Sequence, residues 1–323
     1  MLGQDAASLK ERLRAAEKAT SLSAEDIAPY YLKISVQLYD VKGKPSEQGT
    51  VEEWWAAGGT DKRVYTMPSY KATEVRLGDK IFRTPGVTYP PALLELLLRQ
   101  TTHPMPTDFE IEHAQPQMGK IKFDKEQLEC VMLAQPVEGL KSVPLRLFPT
   151  YCLDPGKDSL RLTYNFGTQL VLRNTLDTFQ QRSVAADVVV RSGRLLAASG
   201  KVTALQTQAM TDADFATSGL EPVGGGSLHK VASGVVQGLA LRQDAPEYPE
   251  IAKANHVTGT VILHAVIGTD GHIHELSVMS SPDPDFAIAA LTAVRRWVYK
   301  PYELFGMPVE VDTTISVNFD MGP

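Results

Sequence analysis

The chain has 323 residues, of which 43% are hydrophobic and 22% charged, and its formal net charge is −6. This composition excludes global disorder, and the length suggests two domains of roughly 100–200 residues each. The acidic balance argues against nucleic acid as the main partner, and no apolar stretch approaches the roughly 18 residues that a membrane helix needs. Residues 236–323 contain 5 basic and 11 acidic residues, so they carry the whole net charge.

Two helices and a series of short strands are predicted before residue 210. Residues 8–20 and 91–100 carry apolar side chains at helical spacing, so each predicts an amphipathic helix. Alternating runs bounded by turn residues predict strands at 31–39, 49–56, 62–67, 70–77, 80–84, 120–123, 127–134, 145–153, 159–165, 168–179, 183–191 and 194–207. Short strands joined by tight turns are typical of an antiparallel meander. The first domain is therefore predicted to be a curved antiparallel half-barrel with two covering helices.

The sequence changes character after residue 218. Gly224-Gly225-Gly226-Ser227 is typical of a flexible joint, so we predict a first domain at 1–218, a Gly-rich linker at 219–238 and a second domain at 239–323. In the second domain the patterns predict helices at 249–255 and 285–298, and strands at 257–267, 272–279 and 309–319. The predicted fold class is α+β, ending in a small sandwich of one helix on a three-stranded antiparallel sheet.

Cys130 and Cys152 lie in neighbouring predicted strands. In an oxidising compartment, a disulfide between them would contribute about 3 kcal/mol to stability. The alternative is a pair of buried thiols that pack as small hydrophobic side chains. No signal peptide is present at the start, and we expect that the export signal has been removed from this sequence.

Catalytic motifs are absent from the sequence. There is no GxSxG, HExxH or GxxxxGK[ST] pattern. His272 and His274 alternate on a predicted strand, but no third ligand completes a zinc site, so exposed histidines beside a turn are the favoured interpretation. Glu52 and Glu53 are adjacent on a strand and point to opposite faces, which prevents them from acting as an acid/base couple. We predict that the protein is not an enzyme and has no cofactor.

The C-terminal segment carries a set of short motifs in a fixed order. They are Tyr248-Pro249, Gly259-Thr260-Val261, Asp270-Gly271, Arg295-Arg296-Trp297, Tyr299-Lys300-Pro301, Gly306-Met307-Pro308-Val309 and the closing strand to Phe319. With these motifs, residues from about 240 to 323 resemble the TonB C-terminal domain family. The resemblance implies a periplasmic domain that binds an outer-membrane transporter, whose TonB box is added as a short extended strand. The family's energy transducers also carry a membrane helix and a long Pro-rich spacer, which this sequence lacks.

The closing strand is the predicted partner site. A strand with one apolar and one polar face leaves a row of backbone N–H and C=O groups that a partner strand can use. The predicted contact residues are Asp312, Thr313, Thr314, Ile315, Ser316, Val317, Asn318 and Phe319. The alternatives are an edge protected by Glu310 and Asp312, or a homodimer paired through Val309–Phe319. Proline at Ile315 or Val317 is expected to abolish partner binding in a monomer that still folds.

The first domain resembles, in its architecture, the LolA-like lipoprotein-carrier half-barrels. The resemblance implies a pocket for an acyl chain on the concave face of the sheet, beneath the helices. The candidate pocket residues are Trp54, Trp55, Leu93, Leu94, Leu97 and Leu98. The alternative is that these side chains form the core of the domain itself.

The sequence thus predicts a non-enzymatic periplasmic adaptor that engages an outer-membrane TonB-dependent transporter or another envelope protein. A carrier of lipid or lipoprotein acyl chains is the alternative function. A third possibility is a structural envelope protein that forms a homodimer.

Overall fold

The structure is a computed structural model that describes residues 6–87, 90–123, 125–141, 143–165, 169–223, 229–304 and 307–321. The chain forms two compact units. The first comprises residues 1–131, 151–163 and 170–225, and the second comprises residues 132–150, 164–169 and 226–323. The linear bounds 1–218, 219–238 and 239–323 stay a prediction, and the Gly224–Ser227 joint lies outside the described residues.

The first unit is built on an antiparallel meander. Its helices are α1 Ala6–Thr20, α2 Ala92–Thr102 and α3 Asp108–His113, followed later by a short 3-10 helix at Asp212–Phe215. The strands are β1 Tyr30–Tyr39, β2 Pro45–Ala56, β3 Thr60–Thr66, β4 Lys71–Leu77, β5 Lys80–Arg83, β6 Gln115–Phe123, β7 Glu126–Ala134, β8 Thr150–Leu153, β9 Leu160–Asn165, β10 Gln169–Phe179, β11 Arg182–Ser192, β12 Leu195–Thr207 and β13 Glu221–Val223. They form one 13-stranded sheet in the order β13-β5-β4-β3-β2-β1-β12-β11-β10-β9-β8-β7-β6. The first and last long strands, β1 and β12, pair antiparallel and join the two halves of this sheet. The predicted α+β class with a large curved antiparallel sheet is confirmed.

The first two helices cover the sheet because each has one apolar stripe. α1 buries Leu9, Leu13 and Ala16 at helical spacing, as the sequence predicts. α2 begins after Pro91, a residue that is favoured near helix starts. Its leucines join one buried cluster with apolar side chains of the sheet, such as Val188.

The second unit contains a smaller sheet packed against one longer helix. Its elements are β14 His229–Lys230, α4 Ser233–Gln237, β15 Ala240–Arg242, α5 Glu250–Ala254, β16 Gly259–Ile267, β17 Ile273–Ser280, α6 Pro284–Val294, β18 Val298–Tyr299, β19 Glu303–Leu304, β20 Met307–Pro308 and β21 Val311–Phe319. The sheet order is β14-β21-β16-β17, so the three predicted strands are joined by a two-residue strand that the sequence pattern did not indicate. α6 ends at Val294, earlier than predicted, because Val298 and Tyr299 pair with β15.

The core of the second unit has an aromatic centre. Phe286 of α6 stacks on Phe319 of β21 at 4.3 Å between ring centroids, and Tyr248 packs edge-on against both rings. Leu147 and Phe148 belong to the same buried cluster although they precede this region by about a hundred residues. The excursion at 132–150 is therefore part of this unit's core.

Candidate functional site

The predicted partner strand, β21, is fully paired along one side. Its partner on that side is β16, in a continuous antiparallel register from Gly259 opposite Phe319 to Ile267 opposite Val311. Every second side chain of β21 is buried, starting with Val311, and those between them point to the other face of the sheet. The alternation predicted from the sequence is thus the alternation of the folded strand.

On the other side of β21, the first residues pair with a short strand, and α4 packs near the strand. The backbone N–H of His229 donates to the carbonyl oxygen of Glu310 at 2.9 Å, and the N–H of Val231 donates to that of Asp312 at 3.0 Å. These carbonyls therefore point away from β16. The short strand β14 runs parallel to β21 here, and the Thr313 hydroxyl donates to the Val231 carbonyl at 2.8 Å.

Beyond Asp312 the outer side of β21 is open in the part of the chain that the structure describes. Backbone groups alternate in direction along a strand, so Thr314, Ser316 and Asn318 direct their N–H and C=O groups to the same side as Asp312. No described segment pairs with them. Of the eight predicted contact residues, Thr314, Ser316 and Asn318 therefore offer their backbone to a partner, whereas Asp312 is already paired with β14. The remaining four, Thr313, Ile315, Val317 and Phe319, face β16 with their backbone and the core with their side chains.

The opposite edge of this sheet is occupied by a segment of the same unit. The N–H of Glu138 donates to the Met279 carbonyl at 3.1 Å, and the N–H of Ser281 donates to the Glu138 carbonyl at 3.0 Å. Residues 132–150 thus cover the end of β17, which sequence reasoning missed. The only sequence signal was an apolar run around Leu147 that we interpreted as part of a strand at 145–153.

A histidine and aspartate cluster lies at the hairpin between β16 and β17. Asp270 accepts the backbone N–H of His272 at 2.9 Å, and its carboxylate lies 3.3 Å from the His272 imidazole and 3.1 Å from that of His274. Burial alone would raise the pKa of Asp270, but hydrogen bonds from both histidines hold it well below its usual range. The same bonds raise the pKa of His272 and of His274. Among the described residues, no group of three or more His, Cys, Asp or Glu side chains is placed to hold a metal ion.

This cluster predicts how the stability of the second unit depends on pH. A histidine with a raised folded pKa contributes stability that is complete below its unfolded pKa of 6.5 and is lost as pH rises through the folded value. The contribution of Asp270 is present above its unfolded pKa of 3.8 and is lost as pH falls. We expect the cluster to stabilise most between about pH 4 and 6.5.

Thermal unfolding at pH 5.5 and pH 8 measures this dependence in the wild type and in Asp270→Asn, which keeps an acceptor in the turn but removes the charge. The variant is expected to lose stability at pH 5.5 and to change less than the wild type between the two values. An equal pH dependence in both proteins would assign it to other groups.

The six candidate acyl-pocket residues do not lie together on one face. Trp55, Leu94, Leu97 and Leu98 are buried in the core of the first unit, and Leu93 packs against that core from a partly exposed position. Trp54 lies on the other face of the sheet, where it contacts Tyr31 and where the Lys62 ammonium sits 4.7 Å from its ring centroid. A pocket for an acyl chain stays a prediction for the other five candidate residues, which lie on the helix-covered side of the sheet.

A cavity of about 370 Å³ lies beside Trp55 and Leu98, and its lining combines apolar surface with seven charged side chains. The charged residues that line it are Glu25, Glu53, Asp61, Arg63, Arg76, Glu95 and Arg99. Nε of Arg63 lies 3.1 Å from the Glu53 carboxylate and 3.0 Å from that of Asp61. Burial raises the pKa of Asp61 to about 6. These charges largely compensate one another, so the cavity places an ionic network beside apolar surface.

The predicted disulfide is confirmed. Cys130 on β7 and Cys152 on β8 are bonded, and both are fully buried. Both cysteines belong to the first unit, whereas the intervening residues 132–150 belong to the second. The bond therefore closes the loop at the point where the chain leaves the first unit and returns to it.

Residues 244–321 match the family model described as Gram-negative bacterial TonB protein C-terminal, which confirms the resemblance inferred for this segment. The solution structure of the Pseudomonas aeruginosa TonB C-terminal domain is 29% identical, with 26% of this chain and 86% of that chain covered and a TM-score of 0.24. A LolA superfamily protein from Nitrosomonas europaea is also similar, at 9% identity, 64% and 97% coverage and a TM-score of 0.43.

Both resemblances stated from the sequence therefore recur in the comparisons. A search of curated proteins returned no match. None of the described helices is long and apolar enough to cross a membrane.

Proposed function

We propose that this protein is a non-enzymatic periplasmic adaptor whose second unit binds a short extended segment of an envelope partner as an added strand. The observation that carries the proposal is the open outer side of β21 at Thr314, Ser316 and Asn318. Each of these residues offers one backbone donor and one acceptor, which is what strand addition uses. The family resemblance implies that the partner segment is a TonB-box-like peptide of an outer-membrane transporter. The disulfide supports an oxidising compartment such as the periplasm.

The position of β14 supports a register for the partner. β14 occupies only the first residues of β21, and the backbone groups beyond it can accept a partner segment in either direction. Such a segment pairs from Thr314 onward while His229 and Lys230 stay in place. The polar side chains of Thr314, Ser316 and Asn318 are exposed on one face, so an extended partner with polar side chains on that face fits best.

A pair of proline variants tests the proposal. The N–H of Ser316 points to the open side, so Ser316→Pro is expected to leave the pairing with β16 intact and to weaken peptide binding about tenfold or more. Ile315→Pro is the matched control, because the N–H of Ile315 faces β16. That proline at Ile315 or Val317 abolishes binding in a monomer that still folds stays a prediction, and the pairing with β16 adds a cost in stability to it. Loss of the hydrogen bond from the Ile315 N–H to β16 is expected to lower the free energy of unfolding by about 2–3 kcal/mol.

Calorimetric titration of TonB-box peptides into the full chain, with thermal unfolding of each variant, separates the two effects. Strand addition at this edge is contradicted if Ser316→Pro folds normally and binds such a peptide as well as the wild type does. Native mass spectrometry of the same samples distinguishes a monomer from a homodimer paired through β21. A dimer that Ser316→Pro dissociates would assign the open edge to self-association.

An acyl-chain carrier function of the first unit is the second proposal. The cavity beside Trp55 is lined partly by apolar side chains and partly by an ionic network, and an alkyl chain gains free energy only from the apolar part. The environment of Arg173 in the same unit bears on this function.

A further inference from the structure

Arg173 is buried between the sheet and helix α2 of the first unit. It lies on β10, and its side chain is 3% exposed. Its Nη2 donates to the side-chain oxygen of Gln100 on α2, an oxygen that also accepts the hydroxyl of Thr163 at 3.1 Å. The guanidinium is thus directed to the helix-covered side, where Val171 of the same strand joins the apolar core.

The charge of Arg173 is not compensated within the described part of the chain. Its Nε and Nη1 atoms are inaccessible to solvent and have no hydrogen-bond acceptor. No carboxylate among the described residues forms an ion pair with it. Burial lowers its pKa to about 9, an effect that the nearby Tyr151 partly opposes.

Two other buried arginines of this unit have a carboxylate partner, although Nε of Arg182 also lacks an acceptor among the described residues. Nη2 of Arg83 lies 2.6 Å from the carboxylate of Glu74, and Nη2 of Arg182 lies 2.7 Å from both oxygens of Asp26. A buried charge without such a partner carries a large desolvation penalty, and buried donors without acceptors are rare in folded proteins. Arg173 therefore has the properties of a residue whose partner is a ligand.

We propose that Arg173 is the anchor of an anion-binding site between β10 and α2, which takes the carboxylate or phosphate group of a ligand. The planar guanidinium fits such oxyanions, and the free Nε–H and Nη1–H donors are the groups that would bind one. Gln100 and Thr163 fix the orientation of the guanidinium through the shared amide oxygen. The anion is either the head group of an acyl ligand or a small free ion, and the two share this chemistry.

This site is independent of the strand-addition proposal. Its residues all belong to the first unit, whereas the open edge of β21 belongs to the second. Arg173 and Ser316 variants can therefore fail separately, and failure of one proposal leaves the other standing.

Three variants of the full-length protein test the site. Arg173→Met removes the charge and the N–H donors. Arg173→Lys keeps the charge but replaces the planar guanidinium and its paired N–H donors with an ammonium group. Arg182→Met is the matched control, because it removes a buried arginine of the neighbouring strand that has its own carboxylate. In ligand-free protein, Arg173→Met is expected to raise Tm, because it removes an uncompensated charge, whereas Arg182→Met is expected to lower it. A lower Tm for Arg173→Met than for the wild type would indicate a structural role and overturn the proposal.

Binding is measured by calorimetry with oleate, acetate and inorganic phosphate as separate probes. Oleate binding that Arg173→Met weakens about tenfold or more assigns the site to the head group of an acyl ligand. Acetate or phosphate binding with the same dependence assigns it to a small free oxyanion. Arg173→Lys should lose part of the affinity, which keeps the test valid if the methionine variant does not fold. Absence of binding by all three probes, or equal binding by the wild type and the Arg173 variants, would overturn the proposal.

Discussion

Replacing Gly271 by alanine is expected to lower the free energy of unfolding of the second unit by about 3–5 kcal/mol. Gly271 has φ +76°, a conformation that costs other residues free energy. A Cβ atom at this position would also lie 1.9 Å from the carbonyl oxygen of Tyr299, which is far inside van der Waals contact. That oxygen cannot move freely, because the N–H of Tyr299 donates to the Gly271 carbonyl at 2.8 Å. The hairpin and the chain after α6 would have to separate.

Denaturant unfolding of Gly271→Ala, followed by hydrogen exchange of the β16 and β21 amides, measures this effect in the second unit. Gly193→Ala is the matched control. Gly193 also has a positive φ, of +61°, but a Cβ atom there meets no other atom within 4 Å. The control is expected to cost only the conformational strain, about 1–2 kcal/mol. Equal losses in the two variants would show that the contact with Tyr299 does not contribute.

The elements that the sequence predicted well are those with a complete local pattern. The strict alternation from Val309 to Phe319 predicted β21, because a strand with one buried face repeats every two residues. The leucine stripes of α1 and α2 predicted both helices for the same reason, with a period of 3.6 residues. The Asp270-Gly271 hairpin was also predictable, since that dipeptide is typical of tight turns.

The elements that the sequence did not reveal depend on contacts between distant segments. Residues 132–150 contribute Leu147 and Phe148 to the core of the second unit, so their apolar pattern reflects a surface far away in the sequence. We interpreted residues 145–153 as one strand, but only Thr150–Leu153 is a strand. The two-residue strand β14 is too short for any periodic pattern, and it exists because β21 offers it an edge.

The site illustrates the same limit at the level of single residues. The alternation from Asp312 to Phe319 separates buried from exposed side chains, but it does not indicate on which side β16 lies. The direction of each N–H group follows only from that pairing, so the sequence could not distinguish Ser316 from Ile315 as a contact residue. Arg173 was missed because an arginine in a strand carries no sign of burial in a single sequence.

Loss of the Cys130–Cys152 disulfide is expected to lower the free energy of unfolding of the first unit by about 3 kcal/mol. The bond joins residues 22 positions apart, so it restricts the unfolded chain by closing a loop of that size. The closed loop contains the excursion at 132–150, whose residues pack in the second unit. The bond thus joins, in the first unit, the two ends of a segment whose side chains belong to the core of the second unit.

The measurement compares denaturant unfolding of the oxidised protein, the protein reduced under denaturing conditions and refolded, and the Cys130→Ala/Cys152→Ala double variant. Reduction is expected to lower the unfolding midpoint of the wild type and to leave that of the double variant unchanged. The double variant also lacks two buried sulfur atoms, so its stability should be equal to or below that of the reduced wild type. A reduced wild type with two titratable thiols and an unchanged midpoint would contradict the stabilising role. Because the sulfur atoms are fully buried, reductant alone should act on the native protein only slowly, through opening of the first unit.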